Sequence, residues 1–141
     1  MLAAAAAALA LVVGAPAAAS GQDAMATLEA AARGFAASWR APDAGALRDH
    51  LAGEVRLDLP GGVFPMVKAH QAGAELAGLL RARATRSFTP VRVALSDGDD
   101  TRGFAEYRWA WGSAAASQSI VFVAFRRDAG GWRVEEIRVL R

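Results

Sequence analysis

Few residues in this chain are of types that could do chemistry, and their spacing limits what that chemistry would be. Asp58, in the run Asp58-Leu-Pro60, and His70 are separated by a Pro60-Gly61-Gly62 turn, so one cavity mouth is within reach of both. A carboxylate and an imidazole that titrates near neutrality would make an acid–base pair if a single substrate lay between them. The simpler readings are a carboxylate on the polar face of a strand and a helix-start histidine in solvent. His50, beside Arg48 and Asp49, reads as solvated on a short surface helix. Glu106 lies between aromatic positions and reads as the partner of Arg108 or Arg126 in an ion pair, or as a protonated acid. Two histidines far apart and no cysteine leave no metal-ligand spacing and no thiol nucleophile. A Gly-rich phosphate loop and a nucleophile elbow are absent too. No metal and no cofactor are expected.

The other candidate is an apolar surface. Tyr107, Trp109 and Trp111 alternate along one strand, so their rings share a face and build a flat wall. Such a wall could line a pocket for a small apolar ligand, together with Phe35, Trp39 and Phe64. It could instead be a sheet face covered by a second copy of the chain, or ordinary core.

The elements that must position these residues follow from periodicity. Met25, Leu28, Ala32, Phe35 and Trp39 recur at spacings of three and four, which predicts an amphipathic helix over Asp23–Arg40. Pro42 and Asp43 open a short second helix whose Leu47 and Leu51 face inward, closed by Gly53. Strands are expected over Glu54–Leu59 and Val63–Met66. A third helix runs from about Val67 to Ala84 with Ala69, Ala72, Leu76, Leu79 and Leu80 buried. A strand over Phe88–Leu95 and a polar turn at Ser96–Asp100 lead into a three-strand meander over Gly103–Trp111, Ile120–Phe125 and Trp132–Leu140. In the last strand, Trp132 and Val134 are out of phase with Ile137 and Val139. A β-bulge at Glu135-Glu136 would return all four to one buried face. The middle of Ile120–Phe125 is apolar enough to be covered on both faces.

Helices segregated to one side of an antiparallel sheet make an α+β domain, in the order ααββαββββ. A sheet this long must curl, and a curled sheet around a long N-terminal helix encloses a cone. That order, with the segment Arg33-Gly-Phe-Ala-Ala-Ser-Trp-Arg-Ala-Pro-Asp-Ala-Gly-Ala-Leu47 and the closing Gly131-Trp-Arg-Val-Glu-Glu-Ile-Arg-Val139, resembles the nuclear transport factor 2-like superfamily. That group holds ketosteroid isomerases, scytalone dehydratase and SnoaL-like cyclases. The stretch Val63–Ala72 followed by Ser87-Phe88 is similar to small exported members without assigned function. The resemblance implies the cone-shaped fold, and a general-base aspartate whose counterpart is Asp58, shifted by one residue. It also implies a hydrogen-bonding tyrosine, and Phe35 occupies that position without a hydroxyl. A base without its oxyanion donors lacks the larger electrostatic contribution, so the isomerase chemistry is not expected here.

The totals restrict the partners. Charge is nearly balanced, sixteen basic residues against fourteen acidic, and the signs alternate along the chain. This is not the one-sided footprint of a nucleic-acid binder. Arg81, Arg83 and Arg86 gather at a helix end, where cations suit the negative pole of the dipole. Residues 1–19 form an uncharged Ala/Leu/Val run ending in a small-x-small site. They read as a secretory signal, leaving a single domain over 23–141 with no stable membrane span. Export to the periplasm or beyond is expected, or a cytoplasmic protein if translation starts at Met25. The function expected is an exported binding or interaction module, with a small apolar ligand in the cone or a second copy paired through the sheet as its partner. The alternative is a cofactor-independent isomerase or dehydratase using Asp58 or His70.

Overall fold

Alternating and helical periodicities resolve, in a computed structural model describing residues 17–140, into three helices and six strands. Of the signal-like run over 1–19, residues 1–16 lie outside the described residues and 17–19 begin the first helix. Helix α1 (Ala17–Arg40) is followed by α2 (Ala44–Asp49), β1 (Leu51–Leu59), β2 (Gly62–Lys68), α3 (Ala69–Ala82), β3 (Thr85–Ser96), β4 (Asp99–Trp111), β5 (Gln118–Asp128) and β6 (Gly131–Leu140). All six strands form one sheet in the order β2-β1-β6-β5-β4-β3. The expected element order therefore holds. One departure concerns direction: β1 pairs with β6 in parallel, so the sheet is mixed, while the other neighbours are antiparallel.

Helix α1 lies on the inner side of the sheet and buries Ala24, Leu28, Ala32, Phe35, Ala36 and Trp39. Met25 is only half-buried, and Ala24 takes its place on the stripe. The second helix ends earlier than Gly53. His50 N–H donates to the Leu47 carbonyl at 3.1 Å, and the His50 carbonyl accepts from Val134 N–H at 2.8 Å. The chain is thereby captured by β6 and continues as strand, with Leu51 and Ala52 buried there. At the start of α2, Asp43 accepts a hydrogen bond from Gly45 N–H at 2.7 Å, a side-chain cap of the kind the sequence offers.

The curl has identifiable causes. Register shifts in β6, β3 and the β1–β2 hairpin each add a residue to one strand of a pair, which bends the strand and increases its twist. In β6, Ala124 faces Glu136 and Phe125 faces Val134, so Glu135 is the extra residue, and Trp132, Val134, Ile137 and Val139 are all buried. This is the bulge the phase of the sequence requires. The edge strands β2 and β3 carry Pro65 and Pro90, which withhold donors from a pairing intruder. On β4, Gly103 stands where a Cβ would collide with the Leu28 side chain, so its bareness lets α1 approach the sheet.

Two glycines on α3 make a controlled comparison. A Cβ on Gly73 would lie 2.7 Å from the Ala44 carbonyl oxygen, a backbone atom of α2 that cannot swing aside. A Cβ on Gly78 would meet only the tip of Arg81, at 3.9 Å. Gly78→Ala is therefore expected to stabilise the domain by about 0.5–1 kcal/mol, the helix-propensity difference. Gly73→Ala should destabilise despite the same propensity gain. Urea denaturation of the two variants reads the opposite signs. Phe35→Ala, which empties the centre of the core, should cost roughly 3–5 kcal/mol in the same measurement; a loss under about 1 kcal/mol would mean α1 is rotated from this register.

Candidate functional site

The inner side of the cone is built from rings. Trp39 stacks on Phe88 at a centroid distance of 4.6 Å, and Phe88 stacks in turn on Tyr107 at 4.3 Å. Phe35 sits against this stack, with Trp39, His50, Phe88, Tyr107 and Phe125 at 5.9–6.4 Å in tilted or edge-on contact. Trp109 meets Trp39 edge-on at 5.2 Å and Trp111 at 4.6 Å. Phe35, Trp39, Tyr107 and Trp109 have no accessible surface, and Phe88 has 1%. The alternating face of β4 is thus turned inward as core. Tyr107 and Trp109 are not an outer face open to a second copy.

The polar tips of these rings are mostly committed. Tyr107 Oη donates to the Ala32 carbonyl of α1 at 2.7 Å, and Trp109 Nε1 donates to Thr85 Oγ1 at 3.0 Å. Burial pushes the Tyr107 phenol well above its ordinary range, against a smaller opposing pull from Arg40, so it stays protonated as that donor. Trp39 Nε1 is the exception, a buried N–H without an acceptor among the described residues.

Of the other ligand-binding candidates, Phe64 and Trp111 are half-buried and line surface clefts. Phe64 borders a notch of about 230 Å³ with Leu59, Gly61, Glu75, Gly78 and Leu79. Trp111 borders a cleft of about 410 Å³ beyond the rim of the cone.

Asp58 and His70 are not brought together. Asp58 alternates with buried Leu57 and Leu59, so it is half-buried on the outer face, in register with Val63 and Arg138. His70 is exposed on the first turn of α3, whose buried face packs against the inner side of β1. The sheet stands between them. Glu106 also faces outward and makes no ion contact within 4 Å among the described residues, so the expected pairing with Arg108 or Arg126 is absent. Arg126 and Arg102 instead reach Glu135, which the bulge pushes out, at 3.8 and 3.2 Å. Among the described residues, no group of three or more His, Asp or Glu could hold a metal ion.

His50 departs from its reading as a solvated surface histidine. Its ring is half-buried, meets Phe35 edge-on at 6.1 Å, and lies where a Cβ on Gly34 would be 3.2 Å from its Cε1. The sequence signal was present in Gly34, since a side chain there would displace the imidazole.

The outer face has its own organisation. Phe104 of β4 and Phe122 of β5 stack at 5.7 Å. Arg92 covers the first ring at 5.1 Å and Arg138 the second at 5.0 Å. Arg138 Nε lies 2.9 Å from Glu136 Oε1, but the approach is too bent for a hydrogen bond, so the contact is ionic only. The middle of β5 is therefore buried inside and half-covered outside, not fully covered on both faces.

No family model and no curated protein matches the sequence. Solved structures do resemble the fold. A DUF4783 family protein from Bacteroides uniformis superposes with a TM-score of 0.66 at 16% identity, covering 77% of this chain and 94% of that one. A protein from Streptomyces avermitilis, provisionally described as a dehydratase of the nuclear transport factor 2-like family, gives 0.65 at 14% identity, with 85% and 97% covered. One from Shewanella frigidimarina, provisionally described as a ketosteroid isomerase, gives 0.63 at 12%, with 80% and 94% covered. At these identities the likeness shows the fold: a nuclear transport factor 2-like cone.

Burial holds the His50 pKa below its ordinary value of 6.5, reinforced by Arg133 and opposed by Asp49. A histidine whose folded pKa is depressed favours the fold while neutral, so its contribution is complete above the unfolded pKa. That contribution is lost as pH falls from about 6.5 through the folded value. Thermal melts from pH 7.5 to 5 should show this loss in wild type and a flatter profile in His50→Gln. An unchanged slope in the variant would remove His50 as the cause.

Proposed function

We propose that this chain is an interaction module that works through the outer face of its sheet, pairing with a second copy of itself. The carrying observation is the filled cone: Phe35, Trp39, Phe88, Tyr107, Trp109 and Phe125 occupy the inner space with at most 2% of any ring accessible. A pocket enzyme of this fold needs that volume for substrate and polar groups converging on it. Here the phenol is spent on Ala32, and the two acid–base candidates stand on opposite sides of the sheet.

The outer face supports the choice of partner. A two-fold contact must be self-complementary, each patch meeting its own copy. Around the Phe104–Phe122 pair stand Arg92, Arg108 and Arg138 with Glu106 and Glu136, so both signs are present around an apolar centre. Glu106 lacks an ion partner among the described residues and would find one in an arginine of the second copy. The apolar run over residues 1–19 supports export as the setting of this interaction.

Light scattering on the purified protein is expected to give a dimer mass, and Phe122→Glu a monomer with an unchanged circular dichroism spectrum. A monomer at every concentration up to roughly 100 µM, weaker than a working homodimer requires, would overturn the proposal. Turnover on isomerase or dehydratase substrates that collapses in folded Asp58→Asn would replace it with the enzymatic reading.

A further inference from the structure

One end of the domain gathers positive charge beside a cleft that no Asp or Glu lines. Asp58, two residues before Pro60, faces the other side of the sheet, and Glu75 lines the neighbouring notch. No Asp or Glu occurs from Leu76 to Ser96, from Tyr107 to Arg127, or from Ile137 to Leu140. These are the stretches that meet at the C-terminal end of α3, the start of β3, the β4–β5 connection and the end of β6. Arg83 and Arg86 lie there, and neither has an ion-pair partner among the described residues. Arg86 is used structurally, its Nη1 donating to the Gly112 and Ala114 carbonyls at 3.2 and 3.4 Å and so holding the β4–β5 connection in place.

Arg83 is different. It follows the last turn of α3, where its own N–H donates to the Leu79 carbonyl, and its guanidinium lies over the Trp111 ring at 4.9 Å. A contact over the ring uses none of the five N–H donors of the guanidinium. Among the described residues the guanidinium edge donates no hydrogen bond. The cleft of about 410 Å³ that Arg83 and Trp111 border has Pro60, Val139 and Ala116 as apolar walls and Ser119 as a further hydroxyl donor. Gln118 Nε2 is already bonded to the Ala115 carbonyl at 2.7 Å.

We propose that this cleft is a binding site for small amphipathic carboxylates, the carboxylate on the Arg83 edge and Ser119 and the short hydrocarbon body on Pro60, Val139 and Ala116. The site lies outside the ring stack and does not rest on self-association. The contact with the Trp111 ring already restricts the Arg83 side chain, so less of its freedom remains to be lost on binding. No Asp or Glu lines the cleft to repel the ligand's charge at contact, and the apolar walls distinguish it from a site for bare inorganic anions.

The test is two-dimensional NMR of the indole N–H signals, titrating the full domain with hexanoate, hexanamide and inorganic phosphate at constant ionic strength. Hexanoate is expected to shift the Trp111 signal with a dissociation constant on the order of 1–10 mM. Hexanamide should bind at least about tenfold more weakly, having lost the charge-assisted bonds. Arg83→Gln should weaken hexanoate by about tenfold or more with the remaining spectrum intact. Should Arg83→Gln disturb the fold, Ser119→Asp gives the same reading by placing a like charge in the cleft without touching the Arg83–Trp111 contact. The proposal is overturned by no hexanoate shift up to roughly 50 mM, by equal binding of the amide, by phosphate binding in place of hexanoate, or by undiminished hexanoate binding in a folded variant.

Discussion

The contact on which the rest of the structure depends is the stack of Trp39, Phe88 and Tyr107, with Phe35 wedged against it. It ties α1 to the sheet at successive turns of the helix. Ala32 accepts from the Tyr107 hydroxyl, Phe35 and Trp39 supply rings one turn apart, and Arg40 Nη1 reaches the Phe88 carbonyl at 2.7 Å. The helix can neither rotate nor slide without breaking several of these at once. Aromatic pairs contribute about 0.5–1.5 kcal/mol each beyond their area. A handful of them is of the same order as the whole stability of a domain this size. The phenol would be costly to bury unbonded, and the Ala32 carbonyl removes that cost.

Filling the cone in this way imposes conditions on the sheet. It must wrap α1 closely, which the extra residue Glu135 in β6 and the shift at Pro90/Arg92 in β3 achieve by bending their strands. It must also let the helix in, which Gly103 does at Leu28. Glu135 then has no place inside and becomes the acid that Arg102 and Arg126 share on the surface. The packing of the core and the charge pattern of the outside are one arrangement seen from two sides.

Much of this was legible in the sequence, because periodicity reports burial directly. The stripe through Leu28, Ala32, Phe35 and Trp39 gave the inner face of α1, and the phase break at Glu135-Glu136 gave the bulge. What stayed hidden depends on contacts between residues far apart in the chain. Leu51 keeps the spacing of a helical residue, and only the bond from Val134 to His50 makes it the first residue of a strand. The parallel direction of β1 against β6 has no local signature, since the connection between them runs through five other elements. Glu106 sits among arginines in sequence, but the twist of the sheet and the bulge give Arg126 to Glu135. For the site, the sequence put Phe35, Trp39, Tyr107 and Trp109 forward as a ligand wall. It did not reveal that they fill the cone themselves, because alternation fixes a shared face and leaves open which side that face takes.

The missing hydroxyl at Phe35 can now be given a physical cause. Its ring is enclosed by Trp39, His50, Phe88, Tyr107 and Phe125. Among the nearby polar groups, Tyr107 is bonded to Ala32, and Trp39 Nε1 is itself a donor without an acceptor among the described residues. A hydroxyl added at Phe35 would need an acceptor and more room, and a buried donor left unpaired costs about 1–3 kcal/mol. The interior already carries one such donor in Trp39. A second would take a large share of a stability of about 5–15 kcal/mol. In an open cone the same hydroxyl would find water or substrate, whereas inside the closed ring stack it would have to find both room and an acceptor. A phenylalanine at this position suits the closed stack, because its ring fills the space among its neighbours and asks none of them for a hydrogen bond.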